Sequence, residues 1–353
     1  MLHTPESADA SDMSDISQHV DDATWDEFIQ SHAHAHILQT SAWARLKSKY
    51  GWHWERVTLA DEAGNLVAGS QILFRKFPFL PYTIAYLAMG PYGEAGSMKE
   101  LWRAIHRCAR KRRAIYLKWE PDGCSEKDHW CTHGFIPSQE TIQPPRTIHL
   151  NIEEEPALLL TRMNQSTRRK IRRSQRELTF REAAASDIPR FYPLLKQTAE
   201  RNRFGIHPES YYEAAARSFL PAQVALILAE RDGEAMAGVM TFALGRRAWY
   251  FYGASSASAR KYAAGYGAQW AAILWARARG CTVYDLWGIP DEEPATLEAE
   301  FKGRSDGLWG VYGFKRGWGG TISRSAGAWD YVYHPRAYHA FRWALKMRRR
   351  ILS

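Results

Sequence analysis

The sequence predicts a mixed α/β fold made of two tandem copies of one unit. Leu59-Ala-Asp-Glu-Ala-Gly-Asn-Leu-Val-Ala-Gly69 reappears as Leu228-Ala-Glu-Arg-Asp-Gly-Glu-Ala-Met-Ala-Gly238, identical at five of eleven positions at an offset of 169. The same order of elements follows each copy, and the closing strands carry Trp119 and Trp287, 168 residues apart. The chain has 353 residues, 45% hydrophobic and 24% charged, which suits two globular domains and excludes wholesale disorder.

Residues 1–22 are rich in Ser and Asp and lack a basic head followed by an apolar stretch, so a loose leader is expected rather than a signal peptide. His32-Ala-His34-Ala-His36 would put three imidazoles on one face of a strand. No Cys or carboxylate follows at metal-ligand spacing, so it reads as polar surface before the first helix, and no metal is expected. Residues 59–69 and 228–238 each read as strand, polar turn with Gly64 or Gly233, and strand. A further strand pair follows each: 71–74 with 83–88, and 239–244 with 248–253. Helices come next, marked by Leu101, Ile105, Cys108 and Ala109, and by Trp270, Ile273, Leu274 and Ala278. Strands 114–119 and 282–287 close the units. Each unit is thus an antiparallel meander, a helix and a parallel-type return strand. The expected division is a leader 1–22, a first unit 23–150, a second unit 151–335 and a basic C-terminal helix 336–353.

Lys and Arg number 47 against 38 Asp and Glu, a net charge of +9 that favours an anionic partner. Residues 161–176 hold seven basic residues and no acid, with Met163, Thr167, Ile171 and Ser174 forming one modestly apolar stripe. Such a helix repels itself unless a polyanion such as tRNA neutralises it; the competing reading is a solvated face. Residues 107–113 and 342–350 carry five cations each. The latter lie beside Phe341, Ala344, Leu345 and Ile351, which suits either an anionic lipid surface or a tail packed on its own domain. No apolar run of about 18 residues exists, so no membrane-spanning helix is expected. Cys108, Cys124, Cys131 and Cys281 form no CxxC pair, which fits a reduced, cytoplasmic protein without structural zinc.

Phe314-Lys315-Arg316-Gly317-Trp318-Gly319-Gly320 combines cations, aromatics and glycines. It reads either as a site where backbone closely approaches a ligand and Lys315 stabilises an oxyanion, or as a glycine-rich turn ending a strand. Trp287-Gly288-Ile289-Pro290, a strand exit, has the same ambiguity. The order meander, helix, strand resembles the acetyltransferase-type (GNAT) fold, whose loop before the helix cradles a pyrophosphate. Here Tyr262-Ala-Ala-Gly265-Tyr-Gly267 opens with Tyr where that fold has Gln or Arg, and Gly90-Pro-Tyr-Gly93-Glu-Ala-Gly96 fits no better. No coenzyme A and no other cofactor is expected.

The chain resembles the Fem-type (FemABX) peptidoglycan-bridge aminoacyltransferases from about Gln39 to Asp330. The likeness rests on Gln39-Thr-Ser-Ala-Trp43-Ala-Arg-Leu-Lys47, Tyr116-Leu-Lys-Trp-Glu120-Pro, Pro145-Arg-Thr-Ile, and Met163 with Thr167-Arg-Arg-Lys-Ile-Arg. It continues through Arg203-Phe-Gly-Ile-His-Pro-Glu-Ser-Tyr211-Tyr, Tyr252-Gly-Ala-Ser-Ser256, Tyr284-Asp-Leu-Trp-Gly-Ile-Pro290 and Phe314-Lys-Arg-Gly-Trp-Gly-Gly320. Singly these are weak; together and in order they are specific. The resemblance implies two GNAT-like domains and transfer of an amino acid from aminoacyl-tRNA to the stem-peptide amine of a UDP-linked or lipid-linked precursor. Residues 246–287 leave no room for the helical arm of the staphylococcal members, so the compact, monomeric FemX-like subgroup is the nearer likeness. By motif position it implies that Lys47 meets the substrate's phosphates, that Glu120 stands where the family has an Asp facing the peptide, and that Tyr211 and Tyr266 line the muropeptide groove. Phe314 and Lys315 fall at the reacting centre. His207 replaces an arginine that makes a further phosphate contact. Arg168, Arg169, Lys170, Arg172 and Arg173 are the expected tRNA contacts. Two other classes share the features: a CoA-dependent N-acyltransferase, and a non-catalytic RNA- or membrane-binding module. The expected place is the cytoplasm, with room for peripheral contact at the inner face of the membrane.

Overall fold

The structure, a computed structural model, describes residues 20–122, 134–202, 204–219 and 223–352. Cys124, Cys131, Arg203 and residues 1–19 of the expected leader lie outside these. The described chain starts inside the expected leader, because Asp21 caps helix α1 (Asp22–Gln30) by accepting from the Thr24 N–H at 2.9 Å.

The first repeat runs α1, α2 (Ser41–Ser48), β1 (His53–Ala60), β2 (Leu66–Lys76), β3 (Thr83–Ala88), a short β4 (Tyr92–Gly93), α3 (Ala95–Lys111) and β5 (Ala114–Glu120). A connecting stretch holds β6 (Ile136–Pro137), β7 (Arg146–Asn151), α4 (Pro156–Arg162), α5 (Gln165–Glu177) and β8 (Thr179–Ala183). The second repeat then follows: α6 (Ile188–Asn202), α7 (Glu209–Phe219), β9 (Val224–Arg231), β10 (Glu234–Leu244), β11 (Arg247–Ser255), α8 (Ala264–Ala278) and β12 (Val283–Asp285). After it come α9 (Pro294–Glu300), α10 (Trp309–Lys315), β13 (Thr321–Arg324), β14 (Trp329–Val332) and α11 (Pro335–Leu352).

The echo marks equivalent strands. Gly64 and Gly233 turn at φ of +85° and +82°, left-handed values that favour glycine. Gly69 and Gly238 both lie on the second strand of their meander. A Cβ would come within 2.8 Å of the Trp25 ring at Gly69 and 2.5 Å of the Phe191 ring at Gly238, so each glycine lets an aromatic of the preceding helix reach the sheet. The expected pairs at 71–74 and 239–244 are not separate strands: β2 and β10 each continue for 11 residues and pair on both edges. β3 and β5 pair in parallel, as do β11 and β12. The expected equivalence fails at its end. Trp119 stays in β5, whereas β12 stops at Asp285 and Trp287 turns out at φ +59°.

The two sheets do not follow the expected division at 150/151. Their orders are β1-β2-β3-β5-β14-β6 and β13-β7-β12-β11-β10-β9-β8. β7, from the connecting stretch, pairs with β12 of the second sheet, while β14, from near the C-terminus, pairs with β5 of the first. A buried ion pair holds that exchange, Lys118 Nζ to Asp330 Oδ1 at 2.9 Å, and Tyr338 of α11 donates to the other carboxylate oxygen at 2.8 Å. α3 packs Leu101, Ile105 and Ala109 on the first sheet, and α8 packs Trp270 and Ile273 on the second. Between the sheets, Trp25, Ile37 and Trp43 form one core with Phe191, Tyr211, Phe242 and Trp249, so the two units are not independently buried.

Candidate active site

Lys47 and Tyr211 come from α2 and α7, one from each repeat, and meet where these helices pack. Lys47 Nζ donates to the Tyr211 hydroxyl at 2.9 Å and sits 4.7 Å from the centre of the Trp43 ring. Burial, reinforced by Arg75, lowers its pKa to about 8. His207 is exposed as a residue but stacks its ring on Tyr211 at 3.9 Å; partial desolvation and then Lys47 depress its pKa. Thus Lys47 and His207, expected to contact the acceptor's phosphates, assemble with Tyr211, expected to line the muropeptide groove, into one cluster.

Glu120 ends β5 and is buried. Its carboxylate accepts from the Tyr86 hydroxyl at 2.5 Å, from the Gln143 N–H at 3.0 Å and from the Ile142 N–H. Burial raises its pKa, against the lowering effect of those donors. A carboxylate holding three donors secures the 138–145 loop to the sheet.

Lys315 ends α10 and is 5% exposed. β11 and β12 pair from Arg247 with Val283 to Trp249 with Asp285, where β12 ends, two residues before Trp287. The Lys315 Nζ donates to the carbonyls of Gly288 at 2.7 Å and Trp287 at 3.3 Å and stands 5.6 Å from the centre of the Tyr250 ring. Burial brings its pKa down to about 7. The glycines following Lys315 do not surround an open ligand site. A Cβ at Gly317 would meet Thr167 Oγ1 at 2.3 Å, and one at Gly319 would meet the Arg162 carbonyl oxygen at 2.3 Å. The run seats the α10 exit against the start of α5, and it lies in a helix end and tight turn rather than ending a strand.

α5 buries Thr167, Ile171 and Ser174, and Met163 just before it, along the expected stripe. Its cations divide into two sets. Arg168 donates to the carbonyl of Met163, and Lys170 donates to the Tyr266 hydroxyl at 3.0 Å, so both serve the fold. Arg169, Arg172 and Arg173 are exposed, with no acidic partner among the described residues. Tyr266 in turn meets Phe314 at 4.8 Å, which puts it beside the α5–α10 junction rather than with Tyr211. At the start of α8, a Cβ on Gly267 would lie 2.1 Å from Ser174 Oγ. The glycine that would cradle a pyrophosphate is therefore spent on packing α5.

A cleft of about 450 Å³, counting its open mouth, is lined by residues of both sheets and was not foreseen. It is lined by His36, Asp122, Thr147, His149, Arg247, Asp285 and Trp287, among others. Asp122 is paired with Arg247. Burial alone would raise the Asp122 pKa, but Arg247 and neighbouring groups together outweigh it and the net shift is downward. Asp285 accepts from the Trp287 N–H at 2.7 Å, from Thr147 and, at 3.2 Å, from His149. His36 is buried against Trp249, and burial depresses its pKa to about 3; its Nδ1 accepts from the Leu38 N–H at 3.1 Å. The histidine triplet forms no strand: His32 Nδ1 lies 2.8 Å from the Phe28 carbonyl, and His36 caps a single turn of 3-10 helix. The cleft joins the separate pieces, since Met89 on its wall bonds to the Glu120 carbonyl and Trp287 carries one of the carbonyls that hold Lys315. A signal for it existed in Asp285 within Tyr284-Asp-Leu-Trp-Gly and in Asp122 two residues beyond Glu120.

The FemAB family model matches residues 20–132, 129–235 and 230–346, nearly the whole described chain. The chain belongs to the FemAB family. Among curated relatives, the lipid II:glycine glycyltransferase of Staphylococcus saprophyticus is 23% identical over 397 residues, covering 90% of this chain and 93% of the relative. That of Staphylococcus aureus strain USA300 is 25% identical over 403 residues, covering 91% and 93%. Both alignments are longer than this 353-residue chain, so the relatives carry residues that it lacks. Residues 246–287 hold only β11, a turn, α8 and β12, with no helical arm. In fold, the chain superposes on the crystal structure of FemX with a TM-score of 0.81 at 22% identity, covering 92% of this chain and 98% of that one. A tandem GNAT protein from clavulanic acid biosynthesis matches with a TM-score of 0.52 at 11% identity, covering 87% and 93%. The duplicated GNAT-like architecture of this FemAB member is therefore shared with both.

Proposed function

We propose that this protein transfers an aminoacyl group from aminoacyl-tRNA to an amine on the stem peptide of a peptidoglycan precursor, in the formation of an interpeptide bridge. The family, and the glycyltransferases among its relatives, support an aminoacyltransferase. The observation that carries the chemistry is Lys315, a buried lysine with its pKa near 7. As an ammonium it has three N–H donors, two of which go to the carbonyls of Trp287 and Gly288. The third is left for the ester oxygen of the donor. The unprotonated acceptor amine attacks the ester carbonyl carbon, the C–N bond forms, and charge on the carbonyl oxygen is met by Lys315. The bond to the ribose oxygen then breaks, and that oxygen takes the proton the amine gives up. The ester is already activated, so no nucleotide hydrolysis enters.

In this reading Lys47, Tyr211 and His207 hold the phosphate end of the acceptor. Glu120 positions the 138–145 loop, and the inter-sheet cleft admits the reacting groups between the two ends. Arg169, Arg172 and Arg173 meet the tRNA backbone. The protein works as a monomer on the cytoplasmic side of the membrane. Coenzyme A as donor is disfavoured by the packing of α5 over Gly267. The test is incubation with a charged tRNA pool and either UDP-linked muropeptide or lipid II, followed by mass spectrometry. A mass gain of one amino-acid residue is expected. A gain from acetyl-CoA and none from charged tRNA would overturn the proposal.

A further inference from the structure

Four large apolar side chains are uncovered at one end of the first unit. Phe79, at the tip of the β2–β3 hairpin, is fully exposed, Leu80 is 58% exposed, and on α11 Trp343 and Met347 are 66% and 38% exposed. The two elements are joined, since Phe77 at the base of the tip packs on Phe341 of α11 with ring centres 5.1 Å apart. Trp343 and Met347 are one turn apart, on the opposite side of the helix from Phe341 and the buried Tyr338. Phe79 also holds φ at +62°, a conformation unfavourable for an aromatic residue, while its ring touches solvent.

Charge accompanies this apolar surface. Neither residues 66–88 nor residues 333–352 contain a single Asp or Glu, whereas they hold Arg75, Lys76, Arg336 and Lys346, all exposed, and the helix sequence continues into Arg348-Arg349-Arg350. Arg342 is excluded from this set because Asp330, Tyr338 and Gln139 occupy it. Exposed Phe, Leu, Trp and Met side chains beside exposed cations, on two elements that carry no Asp or Glu of their own, match a bilayer with anionic headgroups: apolar groups enter the acyl boundary and cations stay at headgroup level. Among the described residues no helix is long and apolar enough to cross a membrane, so the contact is peripheral.

We infer that the hairpin tip and α11 form a docking surface for an anionic lipid bilayer. The hairpin also sets a depth. Arg75, near the end of β2, is close enough to Lys47 to depress that lysine's pKa, and Phe79 lies in the turn just beyond that strand. A docked protein thus holds the Lys47 cluster just above the headgroups, where the diphosphate of a lipid-linked acceptor lies. This last point rests on the reaction proposed above; the docking itself does not.

The experiment is co-sedimentation of the full chain with phosphatidylcholine vesicles, with and without phosphatidylglycerol, in the absence of any substrate. Binding is expected only with phosphatidylglycerol and should weaken with salt. Phe79→Ser with Leu80→Ser, and separately Trp343→Ser, should each weaken it roughly tenfold. Lys76→Glu and Lys346→Glu should weaken it roughly fivefold per cation removed. These side chains are exposed, so unchanged thermal melting is the check on folding. With the serine variants, transfer to UDP-linked muropeptide should persist while transfer to lipid II in vesicles falls. Absent vesicle binding, equal binding to neutral vesicles, binding indifferent to the variants, or self-association through these residues in place of vesicle binding would each overturn the inference. Loss of all transfer with vesicle binding intact would instead count against the proposed reaction.

Discussion

Lys47 and Tyr211 are 164 residues apart in sequence and 2.9 Å apart in space, and each belongs to a different repeat. The phosphate end of the proposed acceptor site therefore exists only where α2 meets α7. Because burial brings Lys47 to about 8, its cation is present below that pH and is lost as pH rises through it. Affinity for a diphosphate-linked muropeptide should fall between pH 7 and 9. Lys47→Met should lower affinity at pH 7 and abolish that dependence, as read by calorimetry.

His207→Arg should act in the opposite sense. The ring stacks on Tyr211 at 3.9 Å, its pKa is depressed, and at neutral pH it contributes no charge. A guanidinium can occupy the same stack and adds a planar fork for phosphate. The KM for the muropeptide should drop several-fold with turnover nearly unchanged.

Lys315→Met deletes the proposed oxyanion donor and keeps the apolar stem. Turnover should fall roughly 100-fold or more, with muropeptide affinity little altered. In the unsubstituted protein the ammonium is present below about 7 and is lost above it, so a falling alkaline limb should appear in the turnover–pH profile. Normal turnover in the variant would remove Lys315 from the reacting centre.

On α5, Arg169, Arg172 and Arg173 replaced together by Gln should weaken tRNA binding. The salt slope should flatten by about 2 to 3, since each lost phosphate contact removes about 0.7 to 0.9. Melting should not change. Arg168→Gln and Lys170→Gln should instead lower the melting temperature, because those cations bond to the Met163 carbonyl and to Tyr266.

His36 supplies a stability test independent of function. Its folded pKa, about 3, lies below the unfolded value near 6.5. Between these values the unfolded chain binds the proton and the folded chain does not. Its contribution is complete above pH 6.5 and is lost on acidification, by up to about 1.4 kcal/mol per pH unit. His36→Asn keeps an acceptor for the Leu38 N–H and should flatten the dependence of denaturation midpoint on pH across that window.

The duplication was legible because a strand, a glycine turn and a strand are written locally, and Gly69 and Gly238 face the same kind of aromatic cover. The pairing of β14 with β5 was not legible. Trp329 lies opposite Trp119, some two hundred residues away, and no local pattern records that choice. Site residues were found singly by position, but their surroundings were not. Glu120 reads as a free carboxylate until the 138–145 loop folds over it. Asp122, Arg247, Asp285 and His36 become one cleft only after four elements from both repeats meet.

The strand exchange also dictates an order of events during synthesis. Ribosomes deliver the N-terminus first, yet the edge of β5 stays unpaired until Trp329–Val332 emerges, some two hundred residues later. Lys118 waits equally long for Asp330. A nascent chain stalled anywhere before that point exposes a bare strand edge carrying a lysine with no counter-ion. Translation arrest or C-terminal trimming upstream of Asp330 should therefore yield a chaperone client rather than a folded first half. The last strand to leave the tunnel closes the sheet whose other strands left it first.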